Sequence, residues 1–340
     1  MNAPPAALPP RALLLAPMVE LSHRALRELI YGFDEGAGTP CLDLAFTEMA
    51  SAAAVVARTR FDEWYLDAGP EPGRVVHQFY TVKPESLPPA LELVAGQGAF
   101  GVDLNFGCAA PQILRSGGGA AWMREPGRAA DLVRLARGVW PASLSAKLRI
   151  GAEDDYDRLK DFCLGLVEAG LDFLTLHPRL EGQKFKGAGK WDYVARLAAE
   201  LPLPVVGNGD VRTWADYERR HAEAGPAGIM IGREAARRPW IFALLRGLEA
   251  DPAFELRVDL GAVALRYLEL VEKALPPEFH ESRAKRFFFY FADNFSFAHH
   301  LRWKLQNAPD LAAMRGIIGD YLREVPADRF RIEGKESRIG

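Results

Sequence analysis

101-GVDLNFGCAAPQILRSGGGAAWMREP-126 is the stretch on which the reading of this 340-residue chain turns. It opens as an apolar strand, Gly101 to Asn105, that ends in a polar Asn. A lone cysteine, Cys108, follows one turn later, and then a triple glycine, Gly117 to Gly119. A strand that delivers an Asn and a Cys to its carboxyl end places chemistry at the mouth of an α/β fold. Outward from this stretch the same unit recurs. Short apolar runs stand at 12-ALLLAPM-18, 42-LDLAFTE-48, 75-VVHQF-79, 144-LSAKLRI-150, 172-DFLTLH-177, 203-LPVVGNG-209 and 227-AGIMIGR-233. Several are apolar throughout, as strands buried on both faces of a parallel sheet should be. Between them lie stretches of helical period, such as 23-HRALRELI-30, 126-PGRAADLVRLARGV-139 and 155-DYDRLKDFCLGLVEAG-170. Eight strand–helix units predict an α/β chain folded as a (β/α)8 TIM barrel. A doubly wound sheet would put a glycine fingerprint after the first strand, where this chain has Pro17-Met18.

The last hundred residues differ. Prolines at 252, 276, 277, 309 and 326 divide helical segments at about 257 to 275, 281 to 304 and 309 to 323, with no strand-like alternation. The expected organisation is a disordered or extended Pro/Ala tail at 1–11, a catalytic barrel at 12–247, and a small C-terminal helical bundle at 248–340.

Composition narrows the class. With 49% hydrophobic and 26% charged residues and a net charge of -3, the chain carries no global field for nucleic acid or an anionic membrane, so such attraction must be local. Three cysteines, Cys41, Cys108 and Cys163, show no C-x-x-C and no metal spacing, so no metal is expected and free thiols in a reducing compartment are. No apolar run reaches membrane-span length and none of the N-terminus reads as a secretory signal, which makes cytoplasmic the default.

Polar residues gather at the carboxyl ends of the strands: Thr47 and Glu48, His77 and Gln78, Asn105 and Cys108, Lys147 and Arg149, His177, Asn208 to Asp210, and Gly232-Arg233. Taken singly, each is more often a satisfied structural residue; together they mark a site. Gly207-Asn208-Gly209 and Gly232-Arg233 let backbone amides approach an anion, and the helix after Arg233 adds partial positive charge, although these glycines could simply make tight turns. Lys147 is a cation suited to a reduced flavin ring or to Schiff-base chemistry, and Gln78 carries a donor and an acceptor suited to a pyrimidine edge. Cys108 reads as nucleophile, proton donor or buried filler.

This constellation resembles the tRNA-dihydrouridine synthases, FMN-dependent barrel enzymes with a C-terminal helical RNA-binding domain. The resemblance rests on 16-APM-18, 103-DLNFGCAAPQILRSGGGAAWM-123, 146-AKLRIG-151, 175-TLHPRLEGQKFKGAGKWDYV-194, 205-VVGNGDV-211 and 229-IMIGREAARRPWIF-242. It implies FMN contacts from Ala16, Pro17, Met18, Gln78, Lys147, His177, Asn208, Gly209, Asp210, Gly232 and Arg233, with NADPH as reductant. It makes Cys108 the general acid that protonates C5 of a tRNA uridine while hydride reaches C6, with Asn105 and Arg149 on the uracil edge. The triple glycine becomes the flexible backbone of the cysteine loop. It also implies a monomer with no obligate protein partner. Where the family carries Pro directly after the cysteine, Ala109 and Ala110 intervene before Pro111.

In the tail, 281-ESRAKRFFFYFADNFSFAHHLRWK-304 interleaves cations with aromatics. The Phe cluster reads as a core helix, whereas Arg283, Lys285 and Arg286 are expected to hold tRNA phosphates. Two other readings compete: a flavin barrel reducing a free pyrimidine, which would not use the tail, and a non-catalytic RNA-binding barrel.

Overall fold

In the computed structural model the described residues are 7–34, 40–58, 62–183 and 187–337. Residues 1–6 of the expected tail, 184–186 of the stretch after the sixth strand, and 338–340 lie outside them. Eight strands form a closed parallel barrel: β1 Ala12–Leu15, β2 Leu44–Phe46, β3 Val75–Tyr80, β4 Gly101–Phe106, β5 Ser143–Gly151, β6 Phe173–Leu180, β7 Val205–Asn208 and β8 Gly228–Ile231. The barrel strands run in the order β2-β1-β8-β7-β6-β5-β4-β3, a two-residue strand at Ala50–Ser51 adds to β3, and β2 pairs with β3 to complete the cylinder. All eight strands occur where the apolar runs predict them. β1, read ALLL, is wholly buried, as befits a strand covered on both sides.

The strands are not apolar throughout, however. Asp103, Ser145 and Thr175 are all buried inside β4, β5 and β6. This corrects the expectation of apolar strand interiors, and the reason lies in the period of two. In β5, Ser145, Lys147 and Arg149 alternate with Leu144, Ala146 and Leu148; in β4, Asp103 and Asn105 share one phase. Residues two apart point to the same face, so the polar phase is the barrel's inside and the apolar phase faces the covering helices.

The chain separates into two compact units. The first comprises Met1–Pro17, Asp43–Val211 and Glu218–Met230, and the second Met18–Leu42, Arg212–Tyr217 and Ile231–Gly340. In the second, the helices Leu260–Ala274, Pro277–Phe291, Ala298–Gln306 and Leu311–Glu324 surround an aromatic core. Tyr267 stacks on Phe287 with ring centroids 3.8 Å apart, Phe287 on Phe291 at 5.0 Å, and Phe291, Phe295 and Tyr321 continue edge to face.

Two expectations for this region fail. The single helix expected over 281–304 is two helices, Pro277–Phe291 and Ala298–Gln306, separated by a tight turn at Ala292–Asn294. Asn294 Nδ2 donates to the Phe291 carbonyl at 2.8 Å and to the Arg237 carbonyl at 2.7 Å, a local bond that competes with continued helix. The region also contains strands: β9 Leu256–Asp259 pairs antiparallel with β10 Phe330–Glu333. β10 reverses ordinary patterning, because Ile332 is 64% exposed and Glu333 fully buried. Glu333 accepts from Arg238 Nη1 at 3.2 Å and from Trp240 Nε1 at 3.4 Å, while Arg238 Nε also donates to Glu234 at 2.6 Å. Buried charge is retained because it is paired. Among the described residues no helix is long and apolar enough to cross a membrane.

Candidate active site

Strand register assembles the site in tiers. Gln78, Asp103 and Ser145 stand opposite one another on β3, β4 and β5; two residues further on, Asn105 faces Lys147, and two beyond that, Arg149 faces His177. Each tier is nearer the carboxyl ends, where βα barrels carry their chemistry.

The lowest tier is a hydrogen-bonded relay. Ser145 Oγ donates to Asp103 Oδ1 at 2.6 Å and Gln78 Nε2 to Asp103 Oδ2 at 2.7 Å. Asn105 Nδ2 donates to Gln78 Oε1 at 2.9 Å, with Met49 Sδ 3.5 Å away. Asn105 Oδ1 then accepts from the backbone N–H groups of Gly107 at 3.1 Å and Cys108 at 2.8 Å, closing an Asx turn that presents the cysteine. Burial pushes the Asp103 carboxyl up to about 6, with the Ser145 and Gln78 hydrogen bonds and the Lys147 charge pulling the other way. Asp103, Ser145 and Met49 were not anticipated; the phase that Asp103 shares with Asn105 was the signal that could have found them.

Asn105 is therefore committed internally, as the scaffold of the Cys108 turn. Gln78 keeps one N–H and one lone pair beyond the relay. Arg149 spends Nε on the Gly107 carbonyl at 3.1 Å and Nη1 on the Leu180 carbonyl at 3.1 Å, beside a register shift that kinks β5 between Arg149 and Gly151. Desolvation and the neighbouring Arg179 hold its guanidinium below the usual range, against the pull of Cys108 and Glu181.

Cys108 is half-buried on the loop after β4, and its thiol accepts or donates no hydrogen bond among the described residues. Its carbonyl accepts from Ala120 N at 3.0 Å. Gly119 stands against it with φ +58°, and a Cβ there would lie 2.5 Å from the Cys108 oxygen. Within the triple glycine, Gly119 is thus a tight backbone approach that a side chain would obstruct. The Ala109-Ala110 spacer has an equally local meaning: Ala110 caps the short helix Pro111–Ser116 and Pro111 takes its first position, where a missing N–H costs nothing. Cys41 and Cys163 are buried thiols, Cys163 pushed up to about 12 by burial.

A second cluster lies at the ends of β6 and β7. Arg179 Nη1 donates to His177 Nε2 at 3.0 Å, so the neutral imidazole carries its proton on Nδ1. Arg179 Nη2 donates to the Gly187 carbonyl at 2.7 Å and Asp210 Oδ1 at 2.6 Å, and Gly189 N donates to Asp210 Oδ2 at 2.7 Å. Burial works to raise the Asp210 carboxyl, but Arg179 and the Gly189 amide outweigh it and hold the group below its ordinary value. Asp210 itself has φ +58°, uncommon for a non-glycine and a mark of a tightly determined loop. Asn208 Nδ2 donates to the Met230 carbonyl at 2.8 Å, tying β7 to β8. Gly207 is accounted for by packing, since a Cβ there would meet the Trp191 ring at 2.4 Å.

Lys147 on β5 and Arg179 on β6 each keep a donor without a protein partner among the described residues. Lys147 Nζ has no hydrogen-bond acceptor among the described residues; desolvation and Arg149 pull its ammonium down to about 8, with Asp103 and Cys108 opposing them. Arg179 Nε is buried and has no hydrogen-bond partner among the described residues. An unpaired donor is costly where it is buried, as Arg179 Nε is, and a planar or anionic group bearing acceptors could satisfy both it and the half-buried Lys147.

Of the remaining residues, Ala16 is buried and Pro17 half-buried after β1, in the same unit. Met18, Gly232 and Arg233 belong to the second unit. Met18 N donates to Ser22 Oγ at 2.8 Å, and Gly232 directly follows β8 to cap the helix Arg233–Arg237, with Arg233 exposed. The three tail cations differ in exposure, although Arg283 and Arg286 both approach the Glu20 carboxylate, at 3.4 and 3.9 Å. Arg283 is 6% exposed, over the Phe279 ring and 3.4 Å from Glu20; Arg286 faces solvent, and Lys285 bonds Glu281 at 2.5 Å.

The profile of the dihydrouridine synthase (Dus) family matches residues 14–312. A tRNA-dihydrouridine(16) synthase of Cupriavidus necator is 34% identical over 243 residues, covering 69% of this chain and 74% of that one. Probable tRNA-dihydrouridine synthases of Rhodobacter capsulatus and Mycobacterium tuberculosis are 29% and 28% identical, covering 92% and 89% of this chain and 95% and 77% of their own. With its barrel, its cysteine turn and a match running through most of both units, the chain belongs to the dihydrouridine synthase family.

Proposed function

We propose that the protein reduces the 5,6-double bond of a uridine in tRNA, with FMN in the barrel mouth, NADPH as reductant and Cys108 as proton donor. The observation that carries the reading is a pair of donors without acceptors among the described residues, half-buried Lys147 Nζ and buried Arg179 Nε, in the unit that holds the Cys108 thiol out on a hydrogen-bonded turn. Lys147 and the spare capacity of Gln78 suit the pyrimidine edge of an isoalloxazine ring, with Ala16, Pro17, His177, Asn208, Gly209 and Asp210 lining the same mouth. The assignment of Met18, Gly232 and Arg233 to FMN stays with the family resemblance. When bound, the flavin supplies the hydride that reaches C6 of the base.

What the chain adds is the proton. Saturation at C6 leaves enolate-like charge toward C5, and an acid fixed on the opposite face quenches it. Cys108 has the half-buried position and the backbone anchoring for that task. Arg149, whose Nη2 has no hydrogen-bond partner among the described residues, is the donor offered to a uracil carbonyl; Asn105 serves through the turn it holds. The target base must leave its stack to enter a barrel mouth, which costs least in a looped part of folded RNA. Of Arg283, Lys285 and Arg286, the last two have solvent access for phosphates. A monomer working in the cytoplasm completes the reading.

The test is turnover by the purified, FMN-loaded protein with NADPH on unmodified tRNA and on free uracil. Dihydrouridine in the tRNA and no turnover of uracil is the expected result. Turnover of the free base alone would favour the competing pyrimidine reductase, and a protein that binds tRNA but never bleaches with NADPH would favour the non-catalytic barrel.

A further inference from the structure

We infer that Asp103 is a positioning residue for Cys108, acting through the amides of Gln78 and Asn105. The geometry fixes a direction at every link. An ionised carboxylate can only accept, so Asp103 Oδ2 turns the Gln78 amide with Nε2 toward itself. Gln78 Oε1 is thereby the end that meets Asn105, and it selects the Asn105 rotamer with Nδ2 toward it. Only that rotamer leaves Asn105 Oδ1 facing the Gly107 and Cys108 N–H groups. A flipped amide at either link would set N–H against N–H and open the turn. Ser145 Oγ and the register of β3, β4 and β5 hold the carboxylate in place, and Asp103 itself has no solvent access and no route to a ligand in the mouth. A buried carboxylate is a costly way to fill space; its acceptor-only character is what a hydrophobic residue of the same size lacks. The relay would therefore be retained for the orientation it transmits to the thiol.

The inference rests on the proposed function only for its turnover readout. Its primary test is alkylation of Cys108 by iodoacetamide in the native holoprotein, which needs no tRNA; Cys41 and Cys163 are buried and should not compete. Asp103→Ala removes the acceptor, and alkylation should quicken at least threefold while kcat on tRNA falls at least tenfold with KM within twofold. Asp103→Asn should recover most of both, since its amide oxygen can still accept from Gln78 while its NH2 group meets the Ser145 hydroxyl as acceptor. A core truncation away from the relay, Val206→Ala, should lower thermal stability without moving the alkylation rate. Alanine and asparagine variants that alkylate alike, at any rate, overturn the inference. If Asp103→Ala does not fold, Gln78→Met cuts the next link, with faster alkylation expected and a wild-type rate contradicting the relay. A wild-type protein that never reduces tRNA would instead sink the functional reading and leave the alkylation result standing.

Discussion

Each unit holds a network around buried charge, and the two networks are completed in different ways. In the second unit Arg238, Glu234, Glu333 and Trp240 form a closed set in which each charged group has a protein partner. In the barrel unit the relay from Ser145 to Cys108 is satisfied, yet Lys147 Nζ and Arg179 Nε at the mouth are not. A closed network specifies architecture, here the docking of a C-terminal strand against Arg238. An open one marks where a ligand is to complete the bonding. Burial of charge alone does not separate the two, nor does a leftover donor by itself, since Arg302 Nε in the second unit is also buried without an acceptor among the described residues; what separates them is a leftover donor at the strand ends of a barrel.

The contrast can be broken first at the thiol. Cys108→Ala should lower dihydrouridine formation by about 10²- to 10⁴-fold, the range for a positioned general acid, while NADPH still bleaches the flavin. Full turnover by that variant would remove Cys108 from the chemistry. In the closed network, Glu333→Ala should cost about 3 kcal/mol in chemical denaturation, because Arg238 would lose one of two carboxylates inside the core. A loss under about 1 kcal/mol would mean that the strand is not held this way. Gly119→Ala should cost about 1–3 kcal/mol through its positive φ and the clash with the Cys108 oxygen, and turnover should fall further than the melting temperature suggests.

Asp103 gives a smaller, pH-dependent effect. Its folded-state value of about 6 lies above the unfolded 3.8, so the folded state holds the proton more tightly. The associated stability is present below about pH 4 and is lost as pH rises through 6, amounting to about 2–3 kcal/mol at most. Wild type should therefore gain on Asp103→Asn in melting temperature as pH falls from 7 to 4.5; a constant difference would contradict the buried carboxylate. Smallest of all, Arg286→Glu should leave folding intact and lower the salt slope of tRNA binding by about one, whereas Arg283→Glu should fail chiefly by destabilising the tail. Equal, purely RNA-binding losses in both would mean that Arg283, despite its burial, is not needed to hold the tail together.

Much of this was legible in the sequence, for reasons that can be stated residue by residue. The eight strands announced themselves because each is a short apolar run with its own βα punctuation, and Asn105 and Cys108 were conspicuous at a strand end. Asp103 was passed over because strand interiors were expected to be apolar, although its spacing from Asn105 put both on the inner phase. Arg283 was grouped with Arg286 by sequence proximity, yet it stands four residues before Phe287 and eight before Phe291, on the helix's buried stripe. The β9–β10 pair was beyond reach: four residues each, far apart in the chain, with the partner invisible to any local pattern. The unmet donors at Lys147 and Arg179 required coordinates, since no sequence pattern says which polar atoms a fold leaves over.

The most direct measurement is the dihydrouridine map of tRNA from cells with and without this protein, complemented by the wild-type chain and by Cys108→Ala. Loss of dihydrouridine at a defined position, restored by wild type and not by the alanine variant, is the predicted result. A map that is unchanged when the protein is removed would contradict the account.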